Sequence, residues 1–167
     1  MQYLEKVVKA EEIILQGHSL GGGAIGKAVL SHDFSTAKKN GTRYLAISDR
    51  TFDKLSNAAG FMHFRLVNPI LRFLGMELDS VKAAKKLKKE GIHHIVTQRS
   101  DCDSDENGAF RRKFVSDGVI PGEASLPEGL ESANLLDPKH TTLLHSPFVA
   151  HNDYIDFGYM SGLSDGI

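Results

Sequence analysis

Along the chain, segments with the hydrophobic spacing of helices alternate with the short apolar runs of buried strands. Helical spacing of apolar residues predicts helices over residues 2–9, 20–31 and 80–90, the last capped by Asp79 and closed by Gly91. Continuous short apolar runs predict strands over residues 12–16, 44–47, 92–97 and, less regularly, 141–144. Strands that alternate with helices imply right-handed parallel crossovers. The sequence therefore predicts an α/β fold, with a parallel sheet of about four strands flanked by helices.

Two segments depart from this alternation. Residues 52–78 are densely apolar and interrupted by Pro69, which is compatible with a core-packing pair of helices or with a lid over an apolar substrate. Residues 100–138 are first acidic and then rich in proline and glycine, so we expect a long excursion rather than a helix.

Composition narrows the classes of function. The 167 residues suggest one domain over 1–167, and 41% hydrophobic with 25% charged residues is ordinary for a globular protein. A net charge of −1 gives no electrostatic reason to expect binding to nucleic acid, and the basic stretch 82–89 suits a solvated helix face. The single Cys102 excludes an internal disulfide. No apolar run approaches the roughly 20 residues of a transmembrane span, and no signal peptide is evident, so we expect a soluble protein of unassigned compartment.

The motif that carries chemistry is Gly17-His18-Ser19-Leu20-Gly21, a G-x-S-x-G sequence between a predicted strand and a predicted helix. In that setting the serine sits on a strained turn with its hydroxyl exposed, as a nucleophile does. We expect Gly17 and Gly21 to be required because a Cβ there would collide with neighbouring backbone. The alternative is a glycine-rich turn in which Ser19 merely caps the helix.

A serine nucleophile needs a base to take its proton and an acid to orient that base. Asp101, just past the predicted strand 92–97, is the first candidate for the acid, with Asp103 and Asp105 as rivals. His151, after the last predicted strand, is the first candidate for the base, and His145 and His140 compete with it.

The motif resembles the nucleophile elbow of the α/β-hydrolase superfamily, which includes esterases, lipases and thioesterases. The resemblance implies Ser19 as nucleophile, Asp101 as acid, His151 as base and the amide of Leu20 as an oxyanion donor. His18 would line the pocket. The resemblance also implies a small acyl or lipid-like substrate and no cofactor. Residues 48–52 resemble, more faintly, uncharacterised hydrolase-like proteins of intracellular bacterial pathogens.

The resemblance covers only the C-terminal half of such a hydrolase, because the strands that precede the elbow in that superfamily have no counterpart here. The sheet would then expose an apolar edge, which favours association. A partner chain or an upstream segment is expected to complete the sheet. An inactive hydrolase-derived fragment serving as an interaction domain is the alternative.

Two further motifs are weaker. Residues 21–26 match the dinucleotide-binding pattern G-x-G-x-x-G, with Asp49 ending the next strand, but the first glycine falls too late for the fingerprint. Residues 103–108 match the first half of a calcium loop, but its twelfth position is Phe114 instead of a glutamate, so no metal site is predicted.

Overall fold

The fold is an α/β arrangement around a mixed sheet of about five strands. A computed structural model describes residues 1–61, 77–104, 110–146 and Asn152. In chain order it contains the strands β1 (Glu12–His18), β2 (Arg43–Asp49), β3 (His93–Ser104), β4 (Phe110–Phe114) and β5 (Thr141–Ser146). The helices are α1 (Leu20–Ser31), α2 (Ser35–Asn40), α3 (Leu55–Phe61), α4 (Ser80–Glu90) and α5 (Leu126–Ser132), preceded by a π-helical turn (Leu4–Val8).

The predicted parallel sheet is confirmed, and one antiparallel strand is added to it. β1, β2, β3 and β5 lie side by side and parallel, in that order. β3 continues past residue 97 to Ser104, and its second half pairs antiparallel with β4. All four parallel strands therefore end at the same edge of the sheet, and Ser19 follows the end of β1 there.

Helices α1, α4 and α5 pack on one face of the sheet. That face carries Ala46 of β2 and Val96 of β3, both essentially inaccessible to solvent. Ala46 lies in a cluster with residues of α1 and α4, and Val96 in a cluster with Leu126 and Leu130 of α5. The common face follows from the right-handed crossovers, because each parallel connection in a sheet that advances in one direction passes on the same side.

The helix predicted over residues 80–90 forms, and Asp79 and Gly91 mark its two ends as predicted. The Asp79 side chain accepts a hydrogen bond from the Lys82 N–H at 2.9 Å, which satisfies one of the free donors of the first turn. At the other end Gly91 adopts a left-handed φ of 73°, the usual way for a glycine to close a helix.

The prediction that residues 100–138 contain no helix is wrong. The segment holds the end of β3, β4, a 3-10 turn (Gly122–Ala124) and α5, whose Leu126 and Leu130 are completely buried. Pro127 lies in the first turn of α5, where a missing N–H costs nothing. A Cβ on Gly129 would lie 2.6 Å from the Asp53 Cβ, so this glycine permits close packing. Pro127 and Gly129, which are typical of loops, therefore both lie in a helix here.

The predicted lid over 52–78 falls largely outside the described residues. Its first part forms α3, and Phe52 is buried among Ala58, Ile120 and Ala124. Residues 62–76, which carry most of the apolar content, are not described. The choice between a lid and core-packing helices therefore stays a prediction.

A buried polar cluster joins the N-terminal π-helical turn to the sheet. One oxygen of Glu5 accepts the Tyr44 hydroxyl at 2.5 Å and lies 2.8 Å from His32 Nε2. Burial alone would raise the pKa of Glu5, but the hydrogen bonds from Tyr44 and His32 outweigh it and lower that pKa. The cluster lies at the opposite end of the sheet from Ser19. Within the described part of the chain, no helix has both the length and the apolar content needed to cross a bilayer.

Candidate functional site at the carboxyl edge of the sheet

Ser19 alone separates β1 from α1, and its backbone is strained. Its φ is 53° and its ψ is −121°, outside the backbone regions that L-residues with a side chain readily adopt. Its hydroxyl makes no capping hydrogen bond to the first turn of α1. Ser19 therefore occupies the N-cap position of α1 without capping the helix through its side chain. The turn has the strained strand-to-helix geometry that the G-x-S-x-G motif predicts.

The glycines around Ser19 have different roles from those expected. A Cβ on Gly17 would lie 2.6 Å from the backbone of Gly21 and Gly22, so Gly17 is required as predicted. Gly21 has no neighbour within 4 Å of such a Cβ, and the expectation for it is wrong. Gly22 is required instead, because its Cβ would lie 1.9 Å from the Thr51 hydroxyl oxygen.

The glycines of the dinucleotide-like pattern serve packing between α1 and its neighbours. A Cβ on Gly23 would lie 2.7 Å from the Phe52 ring, and one on Gly26 would lie 3.2 Å from the Ala83 Cβ. Gly21 is already inside α1 rather than at the end of β1. The fingerprint needs its first glycine at the strand end, so the geometry does not fit a pyrophosphate cradle.

At the end of β2, Asp49, Arg50 and Thr97 form a hydrogen-bonded cluster beside this turn, called the polar brace below. The Arg50 guanidinium donates two hydrogen bonds to the Asp49 carboxylate, each of 2.9 Å, and the Thr97 hydroxyl donates a third at 2.5 Å. The side chains of Arg50 and Asp49 are only 3% and 10% exposed. Arg50 also has a left-handed φ of 44°. Next to it, the Thr51 hydroxyl donates to the backbone oxygens of Ser19 and Asp49, both at 3.3 Å.

The first turn of α1 supplies backbone donors next to Ser19. The first N–H groups of a helix have no partner within the helix, so a developing negative charge can be bound there. Leu20 begins α1 directly after Ser19, and its side chain is 57% exposed. The role of its amide as an oxyanion donor stays a prediction.

The candidate acid Asp101 lies inside a strand, where a loop was expected. β3 runs on to Ser104, Asp101 faces Lys113 across the β3–β4 ladder, and its side chain is exposed. Asp103 also falls within β3, and Asp105 lies outside the described residues. The extended strand changes the expected position of Asp101. Its role as the acid is still a prediction.

The candidate histidines are spread over the sheet. His145 belongs to β5, where its Nδ1 is hydrogen-bonded to the Ser100 hydroxyl at 2.7 Å. Since β5 lies three strand spacings from β1, roughly 14 Å separate the two strands. His140 precedes β5, at the opposite end of the sheet from Ser19, and its backbone oxygen accepts the His94 N–H. The preferred candidate, His151, lies outside the described residues. His18 is exposed next to Ser19, and its role in lining a pocket stays a prediction.

Comparison with known protein families shows which family the chain belongs to. The family model described as Chlamydia CHLPS protein (DUF818) matches residues 2–126. The chain belongs to this family. DUF818 is a domain of unknown function and is not an α/β-hydrolase family, so this match overturns the assignment to that superfamily. No curated protein matches the chain. No solved structure matches it either.

The part matched to the Chlamydia CHLPS family includes Ser19 and the brace of Asp49, Arg50 and Thr97. The sequence places Asp49 only in the dinucleotide-binding pattern and does not indicate its ion pair with Arg50. The neighbouring charges are visible in the sequence, but the hydrogen bond from Thr97 to Asp49 forms only because β3 lies alongside β2. The other missed polar contact joins buried His94 to the Ser48 hydroxyl, with 2.8 Å between Nε2 and Oγ.

Proposed function

We propose that this protein is a serine hydrolase that cleaves an ester or other acyl substrate through an acyl-enzyme at Ser19. The observation that carries the proposal is the backbone of Ser19, strained at φ 53° and ψ −121°. Strain of about 1–3 kcal/mol persists only where the surrounding structure imposes it, and such residues concentrate at functional sites. The contacts from Asp49 and Thr51 to the Ser19 backbone impose it here.

The proposed reaction uses the position of Ser19 at the carboxyl edge of parallel strands, where open α/β sheets commonly bind ligands. The Ser19 hydroxyl oxygen attacks the carbonyl carbon of the substrate while a base takes the hydroxyl proton. The alcohol leaves with that proton, and water then hydrolyses the acyl-enzyme by the same steps. The N–H groups at the start of α1 stabilise the oxyanion of each tetrahedral intermediate. His151 as the base and Asp101 as the acid remain the candidates from the sequence.

An acyl chain is the favoured substrate group because of what surrounds Ser19. Leu20, directly after the serine, exposes 57% of its apolar side chain instead of burying it in the core. An exposed leucine beside a nucleophile offers a surface for the hydrocarbon part of an ester. The apolar segment 52–78 supports the same preference from the sequence.

The test is covalent labelling of the purified chain with a fluorophosphonate, read by intact mass. We expect a single adduct on the wild-type protein and none on Ser19→Ala. Ser31→Ala is the matched control, because Ser31 is an exposed serine at the other end of the same helix. An adduct that persists in Ser19→Ala, or no adduct on a protein with a cooperative unfolding transition, contradicts the proposal.

The base and acid are tested in the same assay. His151→Gln and Asp101→Asn should each slow labelling by 100-fold or more if they activate Ser19, about the effect of losing one catalytic group. His145→Gln and His140→Gln are the matched controls and should label at the wild-type rate. If His145→Gln alone slows labelling, the base assignment is wrong while the nucleophile stands.

An interaction domain without catalysis is the second candidate. Large apolar side chains are exposed around β1, among them Val7 at 63% and Ile14 at 60%. Exposed apolar patches typically mark sites of protein association. A folded protein that fails to react with fluorophosphonate would leave this candidate as the function.

A further inference from the structure

A cavity of about 490 Å³ lies beside the N-terminal π-helical turn, at the opposite end of the sheet from Ser19. It is bordered by that turn, by the residues that lead into β1 and by those around the connection from α2 to β2. Pockets that bind small molecules usually measure about 300–1,000 Å³. The size of the cavity therefore suits a small ligand.

The cavity is built within the described stretch 1–61, away from the points where the undescribed segments join the fold. Residues 62–76 are connected beside the start of α4, where the Leu55 N–H donates to the Leu78 carbonyl. The residues after Ser146 follow the end of β5. Both junctions lie at the carboxyl edge of the sheet, whereas the cavity lies at the amino ends of β1 and β2.

Glu5 brings a carboxylate with one unpartnered oxygen to this cavity. Its side chain is 1% exposed, and Oε1 takes both contacts, with the Tyr44 hydroxyl and with His32 Nε2. Within the described part of the chain, the buried Oε2 has no hydrogen-bond partner. A buried acceptor without a donor is costly, and more so when it is charged. Such an atom in a native structure calls for a group that completes its hydrogen bonding.

The other charged residues of the cavity are not paired with one another. Lys6 and Lys9 supply two ammonium groups, and Glu11 supplies a second carboxylate. Among the residues that the structure describes, none of these three side chains forms an ion pair. Two cations and two anions around one cavity are complementary to a ligand with one positive and one negative group. A ligand of a single sign would leave two like charges uncompensated.

The backbone around the cavity is fixed by hydrogen bonds of the protein itself. The Thr42 hydroxyl donates to the Ala10 carbonyl at 3.0 Å, and the Arg43 N–H donates to the Glu11 carbonyl at 2.8 Å. Lys9 has a left-handed φ of 54°, and its N–H donates to the Leu4 carbonyl. Binding to a site that is already formed avoids the cost of ordering it.

We propose that this cavity binds a small zwitterion, namely a free amino acid or a dipeptide, through an ammonium group next to Glu5 and a carboxylate between Lys6 and Lys9. The ammonium group supplies the donor that Glu5 Oε2 lacks, and Glu11 adds to the negative charge on that wall. The site is separate from Ser19, so the proposal does not depend on the proposed hydrolase activity.

The first test is thermal unfolding of the purified chain with each common amino acid, and with glycylglycine, at millimolar concentration. A ligand that binds only the folded state raises the unfolding midpoint, and we expect at least one compound to raise it by about 3 °C or more. The N-acetyl form and the carboxamide form of that compound each lack one charge. Each should bind about 10-fold more weakly or worse in titration calorimetry.

The second test places the ligand in this cavity. Glu5→Gln keeps the size of the side chain and removes its charge, and it should weaken binding about 10-fold or more. Glu131→Gln is the matched control, because Glu131 is exposed on α5, and should bind as the wild type does.

A second variant is needed because Glu5 also contributes to folding through Tyr44 and His32. Lys6 and Lys9 are exposed, so the double variant Lys6→Ala/Lys9→Ala should remain folded and lose binding by a similar factor. Lys85→Ala/Lys89→Ala removes the same charge from the exposed face of α4 and should leave binding unchanged.

The absence of any midpoint shift in a chain that unfolds cooperatively overturns the proposal. Equal binding of the N-acetyl or carboxamide form overturns the zwitterion, and wild-type affinity in the Lys6→Ala/Lys9→Ala variant overturns the assignment to this cavity. Fluorophosphonate labelling should proceed at the wild-type rate in all these variants. Failure of ligand binding and failure of catalysis at Ser19 are therefore distinguishable.

Discussion

The backbone N–H of Ser19 donates a hydrogen bond of 2.9 Å to the backbone oxygen of Asp49. This bond continues the β1–β2 ladder one residue past the end of β1, into the strained turn. The Thr51 hydroxyl reinforces it by donating to the backbone oxygens of the same two residues. The position of the serine is therefore set by β2 and by the residues after it.

Thr51→Val should loosen this turn. The substitution keeps the shape of a completely buried side chain and removes its hydroxyl, so we expect a loss of about 1 kcal/mol in the free energy of unfolding. Labelling at Ser19 should slow as well. Thr42→Val is the matched control, because the Thr42 hydroxyl donates to the Ala10 carbonyl away from Ser19. It should cost similar stability in urea unfolding and leave labelling unchanged.

Gly22→Ala and Gly21→Ala should have opposite effects. A Cβ on Gly22 would lie 1.9 Å from the Thr51 hydroxyl oxygen, so overpacking should cost about 1–3 kcal/mol or more. A Cβ on Gly21 meets nothing within 4 Å. Alanine there should stabilise α1 by up to about 1 kcal/mol. Thermal unfolding measures both, and equal midpoints for the two variants would contradict the packing of α1 against Thr51.

The elements that the sequence predicts well are those with local signals. Asp79 and Gly91 mark the ends of α4 within the segment itself, and the strained turn at Ser19 follows from its own motif. α5 lacks such local signals, because Pro127 and Gly129 usually indicate a loop and their role here depends on contacts with distant residues such as Asp53. β4 cannot be predicted from its own sequence, because it is stabilised by pairing with an extension of β3 that carries no hydrophobic pattern.

The candidate site shows the same difference between features with local sequence signals and features that depend on distant residues. Ser19 could be predicted because strand, motif and helix are contiguous in the chain. The brace around Asp49 could not, since it requires Thr97, which becomes a neighbour only when β3 pairs with β2. The resemblance to the α/β-hydrolases rests on a short motif, and the family match over residues 2–126 outweighs it.

Asp49 and Arg50 should show strong coupling in a double-mutant cycle. Asp49→Asn removes the charge of the carboxylate that accepts two hydrogen bonds from the buried Arg50 guanidinium, and removing one partner of a buried pair typically costs about 3–5 kcal/mol. Arg50→Gln should be similarly costly. The double variant should lose clearly less than the sum, with a coupling of about 1–3 kcal/mol in urea unfolding. Additive losses would mean that the ion pair does not hold the brace together.

Acid should destabilise the protein through His94. Burial lowers the pKa of His94 to about 4 from its usual 6.5. Between these values the unfolded chain binds a proton that the folded chain does not, so the free energy of unfolding falls as the pH drops from 6.5 toward 4. The loss reaches about 3 kcal/mol. His94→Gln should flatten this part of the pH profile in urea unfolding. His140→Gln, the control, should keep the wild-type slope.

The strain at Ser19 predicts that stability and reactivity can be separated. Ser19→Ala removes the hydroxyl but keeps a Cβ on a backbone with φ 53° and ψ −121°, so it should lose labelling without gaining stability. Ser19→Gly also abolishes labelling, but glycine adopts positive φ without a steric cost. Part of this gain is offset because glycine adds freedom to the unfolded chain. We therefore expect Ser19→Gly to unfold with a free energy about 1 kcal/mol higher than that of Ser19→Ala. A less stable Ser19→Gly would mean that the turn is unstrained, and the argument for a nucleophile at this position would lose its main support.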